Sequence, residues 1–126
     1  MITLTRQKMI MVVDDSQGVL DVMTIMLELG GYQVTTTIDG RILHNLKEPL
    51  PDLILLDIMI SGTDGRELCK VLKKNKKTKS IPVILISANI DIEKISKACG
   101  ADGYLPKPFD MKNMLDLVEW HTAQKI

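Results

Sequence analysis

Aromatic rings are scarce in this chain, with one Trp, two Tyr and one Phe in 126 residues. Its core must therefore be aliphatic, with methionine filling gaps. No charge bias exists either: 16 basic residues balance 16 acidic ones. That argues against wholesale binding to nucleic-acid phosphates, although a local patch stays open. The two cysteines, Cys69 and Cys99, are neither CxxC-spaced nor numerous enough for a disulfide framework. They read as buried or half-buried thiols in a reducing compartment. No run approaches a membrane span, and the N-terminus MITLTRQKMIMVVDD lacks the apolar stretch and cleavage site of a signal peptide. A cytoplasmic location without membrane partners is expected. Linkers, repeats and low-complexity tracts are missing as well, so residues 1–126 are expected to form one domain.

What is present alternates regularly. Residues 8–13 (KMIMVV) read as a strand, and 17–29 as a helix with Val19, Leu20, Met23, Met26 and Leu27 at helical spacing, stopped by Gly30-Gly31. A β-rich stretch (33–37), a turn at Asp39-Gly40 and a short helix (41–47) follow. Residues 52–56 form an apolar run, 61–65 (SGTDG) a loop, and 66–74 a helix. Then come a buried strand (82–86) ending at Ser87, a helix striped by Ile92, Ile95, Ala98 and Cys99, and a short strand at 104–105. A last helix is capped by Asp110 and expected to end near Gln124. Strands that are continuously apolar, alternating with helices, predict a doubly wound α/β fold with a five-stranded parallel sheet.

One stretch poses a chemical problem. In LILLDIMISGTDG (53–65) an apolar run ends in a carboxylate, Asp57, whose burial costs several kcal/mol unless compensated. In such folds ligands bind at the carboxyl ends of the strands. There the first strand delivers Asp14 and Asp15, the third Asp57, the fourth Ser87, and the fifth leads to Lys107. Crowded carboxylates repel, and a divalent cation with oxygen ligands, Mg²⁺ above all, resolves the conflict. Three carboxylates, the cation and Lys107 then sum to zero charge. Such a pocket suits phosphoryl chemistry, with Asp57 as nucleophile and Ser87 as an added donor once charge builds up.

The set VVDDS (12–16), LLDIMISGTDG (55–65), VILISA (83–88) and YLPKPF (104–109) resembles response-regulator receiver domains of two-component signalling, over nearly the whole chain. The resemblance implies a flavodoxin-like (βα)5 domain of strand order 2-1-3-4-5. It implies that Asp57 accepts a phosphoryl group from a sensor histidine kinase or histidine phosphotransfer protein. Mg²⁺ would be held by Asp14, Asp15, Asp57 and the backbone carbonyl of Met59. Lys107 would pair with the phosphoryl group, its bond to Pro108 being cis. Ser87 and Tyr104 match the family's switch pair, which repacks the helix over 92–99, the strand at 104–105 and the last helix for a downstream effector or output domain. Dimerisation on phosphorylation belongs to the same picture, direct nucleic-acid binding does not. A phosphorylation-independent interaction module is the alternative.

Two positions depart from the family pattern. The fourth residue after the acceptor is usually proline and here is Ser61, which removes a φ constraint and puts metal affinity in question. Met59 and Asn89 flank the family's path for hydrolytic water and offer little to orient it, so slow self-dephosphorylation is expected. Rival functions fit less well. A flavin or nucleotide site needs a Gly/Ser/Thr-rich first loop, where this chain has Asp14-Asp15-Ser16. A phosphatase with an aspartyl-phosphate intermediate needs an acid where Met59 stands. Lys70, Lys73, Lys74, Lys76, Lys77 and Lys79 read as a solvated face, His44 and His121 as surface residues, and Trp120 as packing on the last helix.

Overall fold

The computed structural model describes residues 7–123; the expected helix end near Gln124 and the reading of residues 1–6 lie outside them. The unbroken apolar runs become the middle of a parallel sheet. β3 (Leu53–Asp57) is buried at every position, and so is the strand over Val83–Ser87, as strands covered on both faces must be. In chain order the strands are β1 (Met9–Val13), β2 (Gln33–Thr37), β3, β4 (Met59–Ile60), β5 (Thr63–Asp64), β6 (Val83–Ser87) and β7 (Gly103–Pro106). The main sheet runs β2-β1-β3-β6-β7, every pair parallel. With the β4–β5 hairpin set aside, this is the expected 2-1-3-4-5 order.

Helices cover both faces. α1 (Gln17–Leu29) pairs on one side with a C-terminal helix over Met111–Thr122, burying Leu20, Met23, Leu27, Met114 and Val118 against Ile10, Val12, Leu53 and Leu55. On the other side lie a 3-10 helix (Gly40–Asn45), α2 (Gly65–Lys74) and α3 (Ile92–Cys99). They press Leu43, Leu68, Leu72 and Ile92 onto Val13, Ile54, Leu56 and Leu85. The C-terminal helix is α4. Each buried leucine or isoleucine contributes about 1.5–3 kcal/mol. No aromatic ring is fully buried among the described residues, so the core is aliphatic. Ser16 caps α1 by accepting from Val19 N, Asp110 caps α4 by accepting from Asn113 N at 2.7 Å, and Gly100 ends α3 at φ +81°.

Several local expectations are corrected. The stretch expected as a helix over 41–47 is a 3-10 helix of six residues; it opens on Asp39, whose carboxylate accepts from Arg41 N, and leaves into extended Leu46. It is too short to propagate as an α-helix. The expected loop at 61–65 contains β4–β5 pairing around Ser61 and Gly62, with Gly62 at φ +72°. Lys73 is not part of a solvated face, because it pairs with Asp102 and donates to Ile81 O at 2.8 Å. That anchors the end of α2 beside the start of β6. His121 is half-buried rather than on the surface. A Cβ on Gly103 would lie 3.1 Å from its Nε2. Both cysteines are free and buried, and burial pushes the Cys69 thiol up to about 12. Among the described residues no helix is long and apolar enough to cross a membrane.

Candidate functional site

β1 pairs with both β2 and β3, so the winding reverses there and a crevice opens beyond the carboxyl ends of the strands. The register sets Val13 opposite Leu56, which brings the next residue of each strand, Asp14 and Asp57, side by side. Both are almost fully buried, at 3% and 4% exposure. Lys107, just after β7, reaches across to them: its Nζ lies 2.6 Å from Asp57 Oδ2 and 3.5 Å from Asp14 Oδ2. The backbone turns supply further donors. Met59 N–H donates to Asp57 Oδ1 at 2.7 Å, and Ser16 N–H to Asp14 Oδ1 at 2.9 Å. Glycine is required at position 65 because a Cβ there would sit 2.3 Å from Asp57 O. The start of α2 thus lies directly against the backbone of Asp57.

Of the remaining sequence-picked residues, Ser87, Met59 and Asp15 line the same open cleft of about 390 Å³, and Tyr104 does not. Ser87 ends β6, its Oγ accepting from Asn89 N at 3.0 Å and its carbonyl from Lys107 N at 2.9 Å. Tyr104 on β7 is half-buried against the α2–α3 side of the core. The Lys107–Pro108 peptide is cis. Met59 lines the cleft with its side chain 76% exposed. Asp15 also lines the cleft, but its carboxylate is exposed and turned to Ser61, whose N–H and hydroxyl both donate to Asp15 Oδ2 at 3.0 Å.

The electrostatics follow from this packing. Burial, and then the neighbouring Asp57 carboxyl, push Asp14 up to about 6. Burial alone would lower Lys107, but hydrogen bonding and charge from Asp57, with Asp14 behind it, raise it instead. Asp14 Oδ2 has no hydrogen-bond partner, and a buried oxygen left in that state is costly. A hard cation fits there: the orphaned Asp14 oxygen and Asp57 are hard donors at an open cleft, and the lysine offsets only part of their charge. Among the described residues no three acidic, His or Cys groups converge as a ready ligand set. Asp15 is the one turned away. Sequence reasoning missed Ser61 as a partner of Asp15 and Gly65 as the support under Asp57; neither contact has a local signal.

The comparisons with known proteins agree with this fold. A family model described as Response regulator receiver domain matches residues 10–119. The DNA-binding dual master transcriptional regulator RpaA of Synechocystis is 38% identical over 109 residues, which span 84% of this chain and 45% of RpaA. The chain spans about half the length of the curated relatives it matches. A crystal structure of a putative response regulator from Chloroflexus aurantiacus superposes with a TM-score of 0.88 at 27% identity, covering 94% of this chain and all of that one. The receiver domain of sensor histidine kinase PA1611 from Pseudomonas aeruginosa, solved with magnesium in its active-site cleft, shares the fold at 24% identity and a TM-score of 0.81, over 94% of this chain and 100% of that one. This chain belongs to the response-regulator receiver domain family of two-component systems.

Proposed function

We propose that the chain is a phosphorylation-operated switch in which Asp57 accepts a phosphoryl group from a histidine of a sensor kinase or histidine phosphotransfer protein. The observation that carries the reading is the buried Asp57 carboxylate, tied to Lys107 at 2.6 Å and to Met59 N–H at 2.7 Å, yet open to a cleft. One Asp57 oxygen attacks phosphorus, the phosphorus–nitrogen bond breaks, and the imidazole leaves with the electron pair. Lys107 then neutralises charge on the phosphoryl oxygens. Asp14, Asp15, Asp57 and the Met59 carbonyl would hold Mg²⁺, which supplies electrostatic stabilisation of the transferring group. The apolar groove beside the cleft, lined by Val19, Val22, Met26 and Phe109, gives the histidine-bearing partner a landing surface.

Phosphorylation adds roughly one negative charge at Asp57. The Ser87 hydroxyl accepts from Asn89 N in the structure, which leaves its own proton for a phosphoryl oxygen. Tyr104 then moves toward the vacated space, and the surface of α3, β7 and α4 repacks for an effector, an output domain or a second copy. The domain works in the cytoplasm as a signalling switch rather than a conventional enzyme, without direct contact to nucleic acid.

Incubation with Mg²⁺ and a phosphohistidine donor tests the assignment: a hydroxylamine-labile phosphoryl group should map to the peptide containing Asp57. Label on any other residue contradicts it. The adduct should also persist. Asn89 Oδ1 already accepts from Asp91 N at 2.8 Å, and Met59 is apolar, so neither of these two side chains is poised to orient an attacking water. In a chase with Mg²⁺ the label should outlast minutes, whereas decay within seconds contradicts the assigned roles of Met59 and Asn89.

A further inference from the structure

We propose that Ser61 is a latch on Asp15 that competes with the divalent cation, so that this receiver binds Mg²⁺ more weakly than its ligand set alone would allow. The inference rests on the reading of Asp15 as a magnesium ligand. Ser61 N–H and Ser61 Oγ both approach a single atom, Asp15 Oδ2, at 3.0 Å. Neither residue is buried, so packing does not force the contact; the hydrogen bonds select it. The latch is held from the other side by the β4–β5 hairpin, whose tip is Ser61-Gly62, with Gly62 at φ +72°.

The direction of the effect follows from the charges. Asp14 and Asp57 are close together and share Lys107. A third carboxylate turned inward without a cation would add to their repulsion. Two donors on Asp15 Oδ2 draw that charge outward, away from Asp14 and Asp57. Binding a cation through Asp15 must therefore give up part of what Ser61 supplies. A serine that merely oriented Asp15 toward the metal would act with the opposite sign.

The test is calorimetric titration of Mg²⁺ into the metal-free protein without any phosphodonor, beside thermal unfolding with and without Mg²⁺. Ser61→Ala keeps the N–H and loses the hydroxyl donor; Ser61→Thr keeps both. The alanine variant should bind Mg²⁺ about 3- to 10-fold more tightly, the worth of one exposed charged hydrogen bond. Its metal-free midpoint should fall slightly and its Mg²⁺-induced rise should grow. Ser61→Thr should restore the parent values. Equal or weaker Mg²⁺ binding by Ser61→Ala, with the parent and Ser61→Thr binding normally, overturns the latch and leaves the metal reading intact. No binding by the parent overturns both.

Discussion

Replacement of Asp14 by asparagine should raise the melting temperature of the metal-free protein at pH 7 by roughly 5–10 °C. Asp14 is pushed up to about 6 from 3.8, by burial first and by Asp57 second. A carboxyl whose folded value lies above its unfolded one holds its proton more tightly when folded. Between pH 3.8 and 6 the stability it confers is therefore lost as pH rises. At pH 7 the ionised Asp14 costs on the order of 2–3 kcal/mol, and about 1 kcal/mol should return on acidification to pH 5. Asparagine keeps an oxygen for Ser16 N–H and removes the charge, so the variant should be more stable and flatter between pH 5 and 7. Its melting temperature should also cease to respond to Mg²⁺. Scanning calorimetry in chelator and in Mg²⁺ reads both effects. A variant less stable than the parent at pH 7 in chelator contradicts the assigned electrostatics.

Gly65→Ala should be the most damaging small substitution in the site. The new Cβ would lie 2.3 Å from Asp57 O and 2.8 Å from Ile58 Cα. Both are backbone atoms, so no rotamer change relieves the overlap, and α2 must move away from β3. That sacrifices the Gly65 N–H bond to Ile58 O at 2.9 Å. A loss of about 3 kcal/mol and roughly 10 °C in melting temperature is expected. Because the displaced backbone carries the acceptor itself, phosphoryl uptake should fall roughly a hundredfold, even at a temperature where the variant is folded. Parent-like uptake in a folded Gly65→Ala variant would show that the β3–α2 junction does not position Asp57.

The fold was legible where sequence patterns are long. LILLD and VILIS are apolar at nearly every position and lie at the centre of the sheet, and the helical stripes of α1 and α3 end at their glycines. Short elements carried no period to read: β4 and β5 have two residues each, and the 3-10 helix has only six. Of the candidate site, the residues at strand ends could be found because a parallel sheet collects them at one edge. Side-chain pairings could not. Asp15 meets Ser61 46 positions away, and Lys73, indistinguishable in sequence from the lysines around it, is singled out by Asp102 beyond β6 and by the Ile81 carbonyl. The half-burial of His121 has no local signal either, because it comes from Gly103, whose missing side chain leaves the space that the imidazole occupies.

The central claim is that Asp57 and a bound cation act together as a phosphoryl acceptor. Intact-mass spectrometry after incubation with acetyl phosphate and Mg²⁺ tests it most directly, run beside Asp57→Asn and beside the parent in chelator. The account predicts a gain of one phosphoryl group by the parent with Mg²⁺, and none in the variant or in chelator. A phosphoryl adduct on Asp57→Asn, or no adduct on the parent even after rapid quenching, would contradict it.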